Sequence, residues 1–236
     1  MHLGELLETQ IGGRVVQYGA FRGMQLSQIS GWCKAELASM LLGMYEREVL
    51  QYLANLPYRA RENFVNIGAG EGYFAIGMLH AELSLRTICF EMSETSREAI
   101  RDGSSLNQID QNLTLLGLAD EDFLDQVEPV DDFEYDNSVF LFDVEGAELG
   151  LLTDDGLRRM ARAHIVIETH ATMVSEQGQM EFEKLCSRYH RVSEIRTEGR
   201  NPGEFSELES WPDNHRWAIC SEGRPERGRW LVLSPK

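Results

Sequence analysis

Three glycines at alternate positions mark the place where this chain can hold a ligand with its main chain. They are Gly68, Gly70 and Gly72 in VNIGAGEGYFAIG (Val65–Gly77), where an apolar run gives way to a helical pattern. Glycine tolerates positive φ and lets the backbone approach a ligand without a Cβ in the way. The helix start behind it offers amides with no intrahelical partner. Asn66, Ala69 and Glu71 share the segment. Glu91 and Met92 close the run CFEM. Glu91 stands roughly twenty residues past the loop, where an α/β nucleotide site carries its ribose-binding acid. A second group sits later in the chain: Asp143, Glu145 and Glu148 in FDVEGAE, then Glu168 and His170 in IETH. Carboxylates and an imidazole at the ends of two apolar runs can take up a proton or hold a cation.

The loop discriminates between ligands. A dinucleotide fingerprint, G-x-G-x-x-G/A, needs a small residue at its last position, and Tyr73 stands there. Glu71 would put a negative charge near a pyrophosphate, whereas it suits a sulfonium with its ammonium group. No G-K-[ST] follows, which excludes a nucleotide P-loop. The loop with Glu91 therefore points to S-adenosylmethionine. Asp120, after the third apolar run, is placed to accept from the adenine amine. Helix capping accounts equally for Asp120, Glu121 and Asp122. In the second group, Asp143 closes a buried strand at the edge where open α/β sheets bind ligands, so a functional role is assigned to it. Glu148 is assigned to the helix N-terminus, an interaction of about 0.3–1 kcal/mol. Glu145 and His170 are each divided between a role in the site and an ordinary surface one.

Alternating elements must position these residues. Residues 1–62 carry helical signals, above all Ala35–Leu56, ended by Pro57, with VVQYGAFRG a short strand and turn before it. Beyond residue 62, strands are predicted at Phe64–Gly68, Arg86–Met92, Leu113–Ala119, Ser138–Val144 and His164–His170. Helices are predicted over Tyr73–Leu83, from a Ser93 cap to about Leu106, over Glu148–Ala161 and over Glu176–Tyr189. HRVSEIRT, HRWAICSE and RWLVLSP supply later strands, the last two paired antiparallel across a turn at Gly223–Gly228. Continuous apolar strands between amphipathic helices specify a parallel sheet covered on both faces. The expected fold is α/β: a Rossmann-like, mostly parallel sheet with an antiparallel C-terminal strand, the layout of class I methyltransferases. Residues 1–62 form an N-terminal helical extension or cap, and 63–236 the methyltransferase domain.

Composition narrows the partners. The 236 residues carry a net charge of −17, which repels phosphate backbones and argues against nucleic acid. Nine carboxylates and no Lys or Arg lie between Asp120 and Asp136, read as a solvated acidic connection. Cys33, Cys89, Cys186 and Cys220 form no C-x-x-C pair, so reduced thiols in a cytoplasmic protein are expected. The N-terminus lacks the basic and apolar regions of a signal peptide. No apolar run reaches the eighteen residues of a membrane span.

VNIGAGEGYFAIG, then FLFDVEGAELGLL (Phe140–Leu152), then IVIETH (Ile165–His170) resemble the FkbM family of methyltransferases. The resemblance spans roughly Val65–His170, and RPERGRWLVLSP (Arg224–Pro235) is similar to the family's C-terminal end. It implies a Rossmann-like fold, S-adenosylmethionine as cofactor and O-methylation of sugars, glycans or secondary metabolites. It also implies that Gly68, Gly70 and Gly72 hold the cofactor, that Glu91 holds its ribose, and that Asp143 and Glu145 stand at the cofactor–acceptor junction. A hydroxyl acceptor must lose its proton, with His170 or Asp143 first in line to take it and Glu145 beside them. No metal is assigned. A divalent cation on Asp143 and Glu168 ranks second, because the resemblance requires none. N-methylation is the alternative, although the D/N-P-P-Y/F string of such enzymes is replaced here by FDVEG. A noncatalytic cofactor-binding protein is another. Outside the core, Tyr45 and Glu46 are read as helix core before ligand contacts. Trp211 and Trp217, flanking a polar loop, are read as either sugar-stacking or anchoring.

Overall fold

The computed structural model describes residues 3–29, 36–170, 175–222 and 227–236. Three helices come first: α1 (Leu3–Ile11), α2 (Leu37–Leu41) and α3 (Arg47–Asn55). Then follow β1 (Asn63–Ile67), α4 (Tyr73–His80), β2 (Arg86–Phe90), α5 (Glu94–Leu106), β3 (Leu113–Leu116), α6 (Leu124–Val127) and β4 (Ser138–Phe142). The chain continues through α7 (Glu148–Leu151), α8 (Asp154–Arg159), β5 (His164–Glu168), α9 (Glu176–Tyr189), β6 (His190–Arg196), α10 (Asp213–Cys220) and β7 (Arg229–Pro235). The strands form one sheet in the order β3-β2-β1-β4-β5-β7-β6. β1 to β5 are mutually parallel, and β7 runs antiparallel between β5 and β6.

Both faces of the sheet are buried along β1, β2, β4, β5 and β7, which is why these strands are mainly apolar without alternation. Val65, Ile67, Phe140, Phe142, Ile165 and Ile167 face α6, α8 and α9. Phe64, Val139, Leu141, Val166 and Trp230 face α3, α4 and the N-terminal segment. Connections between parallel strands leave the C-terminal strand ends open on one edge, and β1 and β4, where the order reverses, flank the switch point.

A separate apolar cluster joins the N-terminal helices to the segment between β6 and β7. Leu7 of α1, Leu37 and Leu41 of α2, Phe205, Leu208 and Ile219 form one apolar cluster. Arg200, with its side chain 1% exposed, ties the two parts together. It bonds Glu48 and Glu222 at 2.8 Å each and donates to the Met44 carbonyl at 3.2 Å.

Four expectations need correction. The helix over Ala35–Leu56 is two helices within the described residues. Gly43 (φ +65°) and Glu46 (φ +47°) leave the helical region, and a Cβ at Gly43 would overlap the Tyr18 carbonyl oxygen. The helix over Glu148–Ala161 is also two, because Thr153 starts α8 by accepting from the Gly156 N–H at 3.1 Å. HRWAICSE is not a strand but the body of α10, whose Ile219 and Cys220 are buried. β6 therefore supplies the antiparallel partner on the outer side of β7, and the turn expected at Gly223–Gly228 falls partly outside the described residues. β3 stops at Leu116, short of Ala119. VVQYGAFRG makes one antiparallel bridge, Val15 with Gln25, around a turn. Cys33 lies outside the described residues, while Cys89, Cys186 and Cys220 are free and buried. The acidic segment lies largely on the surface, where Arg86 pairs with Asp132 and Arg159 with Asp125 and Glu128.

The Ser93 cap is present: its Oγ accepts from the Ser96 N–H at 3.3 Å. Ser93→Ala is expected to cost about 1 kcal/mol of stability, read as a lower urea midpoint with an unchanged slope. An unchanged midpoint would show that the cap contributes nothing.

Candidate functional site

The glycine loop leaves β1 at the switch point. The Gly68 and Ala69 N–H groups both donate to the Phe90 carbonyl, at 3.0 and 2.9 Å, which fastens the loop to β2. Gly68, Gly70 and Gly72 have φ of +79°, +55° and +87°. A Cβ at Gly68 would overlap the Asp143 carbonyl oxygen, so the loop also lies directly on the end of β4. Asn66 is buried within β1, beside Cys89 and Leu141 in register. Tyr73 begins α4 under the N-terminal segment, with its ring edge-on to Phe21 and Tyr45 at 5.3 and 5.4 Å. Glu71 and Gly72 line a cleft together with Arg14, Met24 and Ser27.

Glu91 sits at the end of β2 with its carboxylate turned onto the loop. Oε2 accepts from the Gly70 N–H and Oε1 from the Ser93 N–H, both at 2.8 Å. A carboxylate has about four acceptor positions, so each oxygen keeps capacity for a ligand hydroxyl. Met92, next in the chain, is 72% exposed, and Leu118 is 65% exposed. Phe90 pairs with Leu116 in register, so Met92 and Leu118 lie at matching steps past the ends of neighbouring strands. Leu118 was not singled out from the sequence. Asp120 is exposed, and its Oδ1 accepts from the Asp122 N–H at 3.2 Å. That bond is the turn-capping role weighed against adenine contact.

Across the switch point stands the second group. Phe142 pairs with Ile167, so Asp143 and Glu168 stand side by side one step on. His170 lies two residues beyond Glu168. His170 Nδ1 is 3.1 Å from Glu148 Oε1, and Nε2 is 3.3 Å from Glu145 Oε2 and 3.7 Å from Glu168 Oε2. The hydrogen bond to Glu148 raises the His170 pKa above its ordinary value; burial opposes this and the Glu168 and Glu145 charges add to it. Burial pushes the Asp143 carboxyl well above the usual range, helped by the charge and hydrogen bond of Glu168 and by the charges of Glu46 and Glu145. Two carboxyls bonded to each other must share a proton. Burial works to raise Glu148, but its bonds from His170 and the Gly146 N–H outweigh that, and its pKa is lowered.

Of the predicted residues, Asp143, Glu145 and His170 meet in one place. Glu148 corrects the expectation that it only complements a helix end, since it is buried and holds the imidazole. Glu46 also differs from its reading as plain helix core: it is fully buried in a left-handed turn and acts on Asp143. No spacing in the sequence links it to β4, because the extension must fold over first. Glu145 has φ +53°, a left-handed conformation costing about 1–2 kcal/mol in a non-glycine residue, and strain of this sort gathers at functional sites. The other described histidines are structural or peripheral: His164 bonds Tyr52, and His190 bonds the Met160 carbonyl. Trp211 anchors to Gln10 through its indole N–H, while Trp217 stays exposed on α10.

No protein-family model and no curated protein matches the chain in sequence. Solved structures match it in fold. Precorrin-6Y C5,15-methyltransferase of Geobacter metallireducens GS-15 superposes with a TM-score of 0.51 at 15% identity, over 83% of this chain and 90% of its own. The O-methyltransferase TomG of Streptomyces achromogenes, solved with SAM, gives 0.52 at 13% identity, over 80% and 81%. Sp1610 of Streptococcus pneumoniae, a putative tRNA (m1A22) methyltransferase, gives 0.50 at 12% identity, over 80% and 69%. The chain has the Rossmann-like fold of class I methyltransferases. Among the described residues no helix is long and apolar enough to cross a membrane.

Proposed function

We propose that this chain is an S-adenosylmethionine-dependent methyltransferase of the FkbM kind, acting on a hydroxyl of a sugar, glycan or secondary metabolite. The observation that carries the reading is the glycine loop pinned by Glu91 on one side of the switch point and the His170–carboxylate cluster on the other. The ribose hydroxyls donate to the free positions of Glu91, and Met92 and Leu118 flank the adenine. Gly68, Ala69, Gly70, Glu71 and Gly72 run under the methionine portion, with Asn66 supporting them from β1. Asp120 is kept as a contact to the adenine amine. Asp143 stands between cofactor and acceptor.

In the transfer the S–CH₃ bond breaks, the O–CH₃ bond forms and neutral S-adenosylhomocysteine leaves. The hydroxyl proton passes to the cluster, where His170 and Asp143 are the first candidates and Glu145 stands beside them. Much of the rate comes from aligning the two reactants. Residues 1–62 form the helical extension that covers the acceptor, and 63–236 the methyltransferase domain. Buried free thiols suit a reducing cytoplasm, and the net charge of −17 favours a small or glycan acceptor over nucleic acid.

Methyl-tritiated S-adenosylmethionine offered with sugars, glycans and polyketide-type alcohols tests the reaction. Label recovered as a methyl ether supports the proposal, and label recovered only on amines overturns the O-methyl reading. Glu91→Ala is expected to weaken S-adenosylhomocysteine binding about 10–100-fold, since charge-assisted bonds contribute roughly 1.5–3 kcal/mol. Unchanged affinity in calorimetry of the folded variant would remove the ribose from Glu91.

A further inference from the structure

We propose that Asp143, Glu168 and His170 form a binding site for one divalent first-row metal ion, of which Mn²⁺ is the type. One ligand atom from each of the three lies within 4.8 Å of the others. They come from the ends of neighbouring parallel strands, where the main chain fixes them. The Asp143 N–H donates to the Ile67 carbonyl at 2.9 Å, and the Thr169 N–H to the Arg229 carbonyl at 2.8 Å. Sites on strand ends hold their geometry better than sites on free loops.

Two further observations point to a cation. Asp143 Oδ1 is shut off from solvent without a hydrogen-bond partner of its own, so it keeps free lone pairs on the side of the cluster where a cation would sit. His170 is oriented as metal-binding histidines are. Its Nδ1 is 3.1 Å from the buried carboxylate of Glu148, which leaves Nε2 directed at Glu145 and Glu168. A carboxylate behind the imidazole fixes its tautomer and strengthens it as a ligand. One imidazole with two carboxylates favours Mn²⁺ and its first-row neighbours over Ca²⁺, which takes oxygen alone.

Three protein donors leave coordination positions open beside a cleft lined by Glu148, Leu149, Gln179 and Phe182. What the ion does there rests on the methyltransferase reading: it holds the acceptor oxygen and stabilises the developing alkoxide. His170 and Asp143 then act as ligands, and Glu145 takes the proton.

The test is calorimetric titration of chelator-stripped protein with MnCl₂ alone, with S-adenosylhomocysteine binding measured separately in the presence of EDTA. One tight Mn²⁺ per chain is expected, with Ca²⁺ at least tenfold weaker. Asp143→Asn, Glu168→Gln and His170→Ala should each weaken Mn²⁺ at least tenfold. Glu148→Gln should weaken it about 10–100-fold through the imidazole. The surface variant Asp131→Asn/Asp132→Asn should leave the tight site intact. Circular dichroism checks each fold, and Glu168→Asp replaces any variant that fails to fold. No Mn²⁺ binding at millimolar concentration overturns the metal site, as does tight binding that survives both Asp143→Asn and His170→Ala. S-adenosylhomocysteine binding without Mn²⁺ binding sinks the metal site alone. Mn²⁺ binding without S-adenosylhomocysteine binding supports the metal site and sinks the methyltransferase reading.

Discussion

His170→Ala lowers kcat by about 10²–10⁴-fold, the usual contribution of a positioned acid–base group, while S-adenosylhomocysteine affinity stays within about threefold. The imidazole is the centre of its cluster: Glu148 holds one nitrogen at 3.1 Å, and Glu145 and Glu168 face the other. It stands across the switch point from the Glu91 carboxylate, so cofactor binding does not depend on it. The size of the effect is the same whether the imidazole takes the proton or holds a cation that lowers the acceptor's pKa. The pH profile separates these roles. The His170 pKa is raised above 6.5 by the Glu148 hydrogen bond first, against burial, and then by the surrounding carboxylates. A protonated imidazole cannot accept a proton. In chelator-treated enzyme acting through this base, kcat/KM therefore rises with pH through a value above 6.5. Full activity in His170→Ala combined with Asp143→Asn would remove the cluster from the mechanism.

Gly68→Val abolishes cofactor binding. At φ +79° a side chain costs about 1–2 kcal/mol from conformation alone. The larger penalty is local, because the new Cβ meets the Asp143 carbonyl oxygen, which is backbone and cannot swing aside. Either the loop lifts from β4 or the end of β4 moves, and both displace groups that must meet the ligand to within about 0.5 Å. A loss of at least 10²-fold in affinity is expected, about 2.7 kcal/mol, together with a lower melting temperature. Gly199→Ala is the control, since its Cβ meets nothing within 4 Å. Wild-type affinity in a folded Gly68→Val would place the cofactor elsewhere.

The parts of this protein that local pattern could specify were legible. Buried on both faces, β2, β4 and β5 are written as apolar runs, and the residues that close them, Glu91, Asp143 and the Glu168–His170 pair, could be located from that pattern. The Ser93 cap and the glycine loop carry their own backbone chemistry and were equally plain. What escaped depends on tertiary contact. The stretch Leu37–Asn55 keeps a helical period throughout, yet it breaks where Gly43 closes on Tyr18, a contact with no trace in either segment alone. His215–Glu222 reads as a strand because its apolar residues are few and closely spaced. It is a helix because α1 and α2 offer one apolar cluster for Ile219 and Cys220 to fill. Glu148 at a helix start has an ordinary capping explanation, and only the return of β5 brings His170 onto it. The charge of Glu46 acts on Asp143 from a segment about a hundred residues away, through a fold-over that no motif announces.

The central claim is that the loop from Gly68 to Gly72, pinned by Glu91, binds S-adenosylmethionine. Isothermal titration of the purified chain with S-adenosylhomocysteine, and separately with NAD, tests it most directly. The account predicts one S-adenosylhomocysteine per chain, weakened about 10–100-fold by Glu91→Ala, and no heat of binding with NAD. Saturable binding of NAD with none of S-adenosylhomocysteine would contradict it.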